Sequence, residues 1–138
     1  MSHSFHYLIM AEQSMFHKEL LSRLKDTGLT IGQPKILDYL KDHDGAGQKD
    51  IARGCHIEPG PLTTLLNRME EAGLVERRML NGNRRSLYVF LTEKGQEQVK
   101  LVTEAFSAIE EEAFRGMSKT DCETLMRLMH QVYENISS

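Results

Sequence analysis

The 138 residues include 17 Lys and Arg against 20 Asp and Glu, a formal net charge of −3, which excludes a protein that coats nucleic acid simply by being basic. At 40% hydrophobic and 27% charged residues the composition is that of a soluble globular chain of one-domain length, so disordered, collagenous and multidomain readings fall away. The longest clean apolar run, Tyr7-Leu8-Ile9-Met10-Ala11, is too short for a bilayer span or a secretory h-region, and Cys55 and Cys122 form no CxxC; both features point to a cytoplasmic protein with reduced thiols and no membrane partner.

Residues 5 to 26 place Leu8, Ile9, Phe16, Leu20, Leu21 and Leu24 at mixed three- and four-residue steps, which predicts an amphipathic first helix closed by Asp26-Thr27-Gly28. Thr30-Ile31-Gly32-Gln33 has the form of a capping box with Pro34 in the first turn, so a second helix is expected from about Ile31 to His43, burying Ile36, Leu37 and Leu40. Gly45-Ala46-Gly47 reads as a break. Gln48 to Gly54 is long enough for a two-turn helix that buries Ile51 and Ala52, and Cys55 to Glu58 makes a short turn. Pro59, favoured in a first helical turn, opens the next helix; Leu62, Leu65, Leu66 and Met69 mark its buried stripe and Gly73 ends it. Leu74 to Arg78 and Ser86 to Leu91 are rich in β-formers and flank Asn81-Gly82, which predicts a two-stranded ribbon with Arg84 and Arg85 near its tip. Thr92 can cap a long helix in which Val99, Val102, Phe106, Ile109 and Ala113 recur at steps of 3, 4, 3 and 4, the spacing of a helix-helix seam, until Gly116 stops it. Ser118 to Asp121 resembles a second capping box, leading into a last helix with Leu125, Leu128, Met129, Val132 and Ile136 on one stripe.

Charge is distributed unevenly along these elements. Residues 1 to 44 carry 5 positive and 6 negative side chains, residues 45 to 91 carry 7 and 5, and residues 92 to 138 carry 5 and 9. The middle third is therefore net positive, and six of its seven cations are Arg, whose planar fork suits phosphates and guanine edges. It is also where a short helix, a tight turn, a second helix and an Arg-tipped ribbon follow one another, the order of a winged helix-turn-helix. The second helix of such a pair enters the major groove, with its N-terminal residues at the base edges. Those residues are Gly60, Pro61, Thr63, Thr64, Asn67 and Arg68; Thr63 and Thr64 offer hydroxyl and methyl groups, Asn67 can pair with adenine and Arg68 can reach guanine or phosphate. Arg84 and Arg85 are placed to enter a narrow minor groove or grip the adjacent backbone.

Leu29-Thr30-x-x-Gln33, Asp50-Ile51-Ala52 with the turn and Pro59, the run from Arg68 to Arg77, Asn83-Arg84-Arg85, and Leu91-Thr92-x-x-Gly95 together resemble the multiple antibiotic resistance regulator (MarR) family of winged-helix transcription factors. The resemblance covers nearly the whole chain. It implies a mainly α (α+β) fold in one domain over 1–138, with a DNA-binding lobe at about 30–91, a two-stranded β-wing, and helical dimerisation regions at 1–29 and 92–138. It implies a cytoplasmic homodimer that binds pseudo-palindromic double-stranded DNA and acts as a repressor released by a small, often aromatic, ligand. Two departures from the pattern are Asn83, where the family has a wing Asp that orients the Arg, and Glu58, Gly60 and Pro61, where small polar residues usually begin the recognition helix.

For the ligand crevice, the candidates are Phe16, His17 and Tyr39 on the first two helices, weighed against the commoner role of such residues as core filler. Cys55, in the turn beside Arg53 and His56, is a candidate redox site, set against a plain buried thiol; neither Cys matches the N-terminal position of the peroxide-sensing branch. The six histidines form no HxxxH or HxH, so no metal site and no cofactor is expected. A winged-helix module that binds a protein through its acidic arm is the alternative, as is a redox- or metal-sensing regulator of the same fold. No nucleophile-base set or phosphate loop suggests an enzyme.

Overall fold

The computed structural model describes residues 2–80, 82 and 86–137. Helix α1 spans Phe5–Arg23, α2 Gln33–Asp42, α3 Gln48–Cys55, α4 Pro59–Glu71, α5 Glu93–Ala113 and α6 Lys119–Ile136; strands β1, β2 and β3 span Ala46–Gly47, Val75–Arg78 and Tyr88–Leu91. The chain divides into two compact units, residues up to Phe106 and residues from Ser107, with α5 running through the boundary. Among the described residues no helix is long and apolar enough to cross a membrane.

Local chemistry sets the ends of the elements. Ser4 caps α1 by accepting from the Tyr7 N–H at 3.2 Å. At the other end Thr27 satisfies an orphan carbonyl, donating its hydroxyl to Leu24 O at 2.6 Å and accepting from Leu29 N–H at 3.1 Å, so the helix closes at Arg23, earlier than residue 26. Only the C-terminal part of α1 is covered: Leu20 and Leu24 are buried, whereas Leu8 and Ile9 are 42% and 47% exposed. The expected capping box at α2 forms by half. Gln33 Oε1 accepts from the Thr30 N–H at 3.0 Å, but Gly32, at φ 94°, occupies the N-cap and the Thr30 hydroxyl caps nothing.

The expected two-stranded wing is part of a three-stranded antiparallel sheet, order β1-β3-β2. The segment read as a break contains β1, which pairs Ala46 with Val89 and Gly47 with Tyr88. Its glycines permit this. Gly45 stands at φ 85°, donates its N–H to Val89 O at 2.8 Å, and leaves space that a Cβ would have to share with the Phe90 ring at 2.8 Å. β2 pairs with β3 from Val75 opposite Leu91 to Arg78 opposite Tyr88, placing the buried Val75 and Val89 toward the core with Ile36, Leu37, Leu40, Ile51, Leu62, Leu66 and Met69.

Thr92 accepts from the Gly95 N–H at 3.0 Å and donates to Gly73 O, joining the start of α5 to the turn after α4. Val99, Val102 and Ile109 of the seam are buried, Phe106 is half-buried and Ala113 is exposed. In the second unit Gly116 turns the chain at φ 82°, and Ser118 caps α6 by accepting from the Asp121 N–H at 3.0 Å. No residue of α6 is buried: Leu125 and Val132 are half-buried, and Leu128, Met129 and Ile136 are exposed.

Candidate nucleic-acid interface

α3 buries Ile51 and Cys55 and ends with His56 in the left-handed conformation, φ 54° and ψ 47°. Ile57 N–H then bonds back to Ala52 O at 3.0 Å, the closure of a helix C-terminus, and the chain turns in three residues into α4. Leu62, Leu66 and Met69 of α4 face the core. Its opposite face brings together Gly60, Pro61, Thr63, Thr64, Asn67 and Arg68, all exposed.

The donors on this face are fewer than their residue types suggest. Thr63 Oγ1 donates to Pro59 O at 3.0 Å and Thr64 Oγ1 to Gly60 O at 3.5 Å, so both present a methyl and a lone pair outward. Pro59 and Pro61 lack an N–H, which leaves Gly60 as the sole backbone donor among the first three residues of α4, and the exposed Glu58 stands before them. Asn67 Oδ1 accepts from Arg77 Nη2 at 2.6 Å.

Arg77 on β2, a residue that spacing along the chain does not single out, is the hub of the region. It grips Glu70 at 2.8 Å and reaches Gln48 Oε1 at 3.5 Å, joining the wing strand to α4 and to the start of α3. Hydrogen bonds from the Arg77 side chain and backbone hold the Glu70 carboxyl below the usual carboxylate range. Arg78 is likewise occupied, paired with Glu76 at 2.8 Å and lying over the Phe90 ring at 4.3 Å. Lys49 and Arg68 are exposed and have no ion pair among the described residues, and Arg53 has only a 3.7 Å pair with Asp50, its side chain 79% exposed. A hollow of about 400 Å³ opens among α3, α4 and the approach to β3, lined by Gln48, Arg53, Thr63 and Tyr88. Arg84 and Arg85, with Asn81 and Asn83, lie outside the described residues; Gly82 between them stands at φ 70°.

Of the ligand-crevice candidates, Phe16 and His17 line a cavity of about 260 Å³ with Ile31, Lys35 and Phe106, and the Phe16 and Phe106 rings lie 5.9 Å apart. Tyr39 does not line it. Its ring stacks on His43 at 4.3 Å and packs against the backbone of Gly54, which has no side chain to obstruct it.

Cys55 is 2% exposed, donates weakly to Lys35 O at 3.7 Å, and burial pushes its thiol up to about 11. That is the opposite of the lowered pKa and access a redox thiol needs. A raised thiol pKa stabilises the fold fully below the ordinary thiol range and loses that contribution as pH climbs toward about 11. In the native protein at neutral pH, a thiol reagent is expected to modify the half-buried Cys122 first and Cys55 only at the rate of unfolding; labelling of both at one fast rate, followed by mass spectrometry, would contradict this burial. Among the described residues no three His, Cys, Asp or Glu side chains come together as a metal site.

The profile of the MarR family matches residues 29–87. The chain is 28% identical over 127 residues to the organic hydroperoxide resistance transcriptional regulator of Bacillus subtilis, covering 92% of this chain and 81% of that protein. Its fold matches that of MepR from S. aureus, solved as a DNA complex, at a TM-score of 0.89 and 22% identity over 98% of this chain and 99% of the other. It also matches CouR from Rhodococcus jostii RHA1, solved with p-coumaroyl-CoA, at 0.80 and 21% identity over 96% and 91%. With the helix-turn-helix, the three-stranded wing sheet and the flanking long helices in this order, the chain has the winged-helix fold of these regulators and carries the MarR family profile over residues 29–87.

Proposed function

We propose that this chain is a cytoplasmic, sequence-specific DNA-binding transcription regulator that works as a homodimer on pseudo-palindromic operators, and represses until a small ligand releases it. The observation that carries the reading is the exposed face of α4, where Thr63, Thr64, Asn67 and Arg68 share a surface with the exposed cations Lys49 and Arg53. A helix with this arrangement fits a major groove about 12 Å wide, its cations falling on the phosphates at either side. The apolar side chains that α6 leaves exposed, Leu128, Met129 and Ile136, suit a second copy of the chain. The cavity with Phe16, His17 and Phe106 suits a planar aromatic ligand, and Lys35 at its rim suits an acidic group on it. Such a ligand would act by favouring a dimer whose two α4 helices no longer match the half-site spacing.

A gel shift on the DNA upstream of the protein's own gene tests this. Operator binding is expected, and Arg84→Ala with Arg85→Ala should weaken it by about a hundredfold, the loss of a pair of minor-groove or phosphate contacts per protomer. Absence of binding would favour a winged-helix module for a protein partner, and binding indifferent to the double substitution would remove the wing from the reading surface.

A further inference from the structure

We infer that Asn67 presents its amino group to DNA, its carbonyl oxygen being turned to the Arg77 cation, and so selects guanine over adenine at one position of each half-site; this rests on the DNA-binding reading above. A guanidinium has five N–H donors and no acceptor, so the Asn67 atom that lies 2.6 Å from Arg77 Nη2 must be the carbonyl oxygen, Oδ1, and the amino group Nδ2 is left over.

Arg77 is not placed to let go. Its Nε and Nη2 donate to Glu70 Oε1 at 3.2 and 2.8 Å, its backbone N–H donates to Glu70 Oε2 at 3.1 Å, and Nη1 reaches Gln48 at 3.5 Å. Its side chain is 15% exposed, and its backbone is fixed opposite Val89 in the β2–β3 ladder. Hydrogen bonds in which one partner is charged are about twice as strong as neutral ones, so the clamp on Oδ1 outlasts competition from a base. Asn67 itself stands exposed on α4 beyond Thr63 and Thr64, and Nδ2 has no partner among the described residues.

An unrestrained Asn recognises adenine with both atoms, Oδ1 accepting from N6 and Nδ2 donating to N7. Oδ1 keeps a second lone pair, but an adenine amino group that approached it would bring its own positive hydrogens beside the guanidinium 2.6 Å away, so pairing with N6 is disfavoured. Guanine presents O6 and N7, two acceptors for the two hydrogens of Nδ2. Arg77 is in this sense a positioning residue for specificity, acting through Asn67 without touching the base.

The test selects binding sites from a random duplex library, then measures by competition gel shift every single-base change in the selected half-site for the wild type, Asn67→Ala, Asn67→Asp and Arg77→Met, with thermal melts alongside. In the wild type one position should favour guanine over adenine by about tenfold. Asn67→Ala should level that position, and so should Asn67→Asp, which keeps an oxygen toward Arg77 but has no donor. Arg77→Met frees Oδ1 and should move the same position toward adenine, a change a merely structural residue would not produce. The inference is overturned if the position that depends on Asn67 favours adenine in the wild type, if no position depends on Asn67, or if a folded Arg77→Met weakens all sites equally and keeps guanine. Should Arg77→Met fail to fold, the wild type and the two Asn67 variants still decide it. A wild type that selects no sequence sinks the regulator reading itself, which is a different failure.

Discussion

Replacing Gly95 with alanine is expected to lower the stability of the fold by about 3 kcal/mol, a fall of about 10 °C in Tm. Inside a helix the exchange ordinarily helps, by about 1 kcal/mol, because alanine loses less backbone entropy. Here the contact reverses the sign. Gly95 is buried in the first turn of α5, and a Cβ there would overlap the carbonyl oxygen of Leu74, with Leu91 Cδ2 also at 3.3 Å. The carbonyl cannot retreat, because it accepts from the Thr92 N–H at 3.1 Å and leads directly into β2, which is paired to β3. The helix cannot retreat either, since Thr92 ties its first turn to Gly73. Gly60 is the control. Apart from its chain neighbours nothing lies within 4 Å of its Cβ position, and the strain of a side chain in helical conformation before Pro61 offsets the gain in helix propensity, so Gly60→Ala should melt within a few degrees of the wild type. Thermal melts followed by circular dichroism decide; a Gly95→Ala protein that melts with the wild type would mean that the approach of α5 to Leu74 is not tight in solution. Gly60→Ala also separates stability from function. If α4 begins against a phosphate, the added methyl should weaken DNA binding in a protein of nearly unchanged stability.

The same contrast explains what could be read in the chain beforehand. The beginnings of α4, α5 and α6 were legible because Thr92 and Ser118 accept from N–H groups within one turn of themselves and Pro59 lacks an N–H that a first helical turn leaves unpaired. β1 was not, because a strand of two residues, Ala46 and Gly47, carries no alternation, and its pairing partner lies beyond Asn81-Gly82. The early end of α1 depends on a single hydroxyl, that of Thr27, choosing the Leu24 carbonyl. The six exposed residues of α4 followed from its apolar stripe, since whatever is opposite Leu62, Leu66 and Met69 must face solvent. The state of those residues did not follow. Whether Asn67 is free or clamped depends on a register that sets Arg77 opposite Val89, and no spacing along the chain encodes that. Tyr39 fell outside the cavity for a related reason. Helical periodicity tells which side of α2 is apolar, but only the packed structure tells that Tyr39 meets Gly54 of α3 while Lys35 meets the cavity.

Raising the salt from about 50 to about 200 mM is expected to weaken operator binding by about a thousandfold, despite a protein whose net charge is −3. Counterion release depends on the cations that meet phosphates, and the total charge is a poor guide to them. Of the described cations in the central segment, Arg77 and Arg78 are committed to Glu70 and Glu76, whereas Lys49, Arg53 and Arg68 are exposed and free or weakly paired. Three such groups in each of two protomers make about six phosphate contacts, a slope of about −5 in log affinity against log salt before Arg84 and Arg85 add to it, and a fourfold rise in salt then costs about three decades or more. Arg53→Ala should flatten the slope by about two in the dimer, because the substitution removes one phosphate contact from each protomer. Arg78→Ala should flatten it by less than one, since its charge is already answered by Glu76 at 2.8 Å and its plane lies on Phe90. The acidic run Glu110-Glu111-Glu112 is exposed on the far part of α5, and neutralising it should change affinity at low salt without changing which cation sets the slope. Were Arg78→Ala to flatten the slope while Arg53→Ala left it alone, the phosphates would lie along the base of the β-ribbon, and α3 with the start of α4 would not be the docking edge.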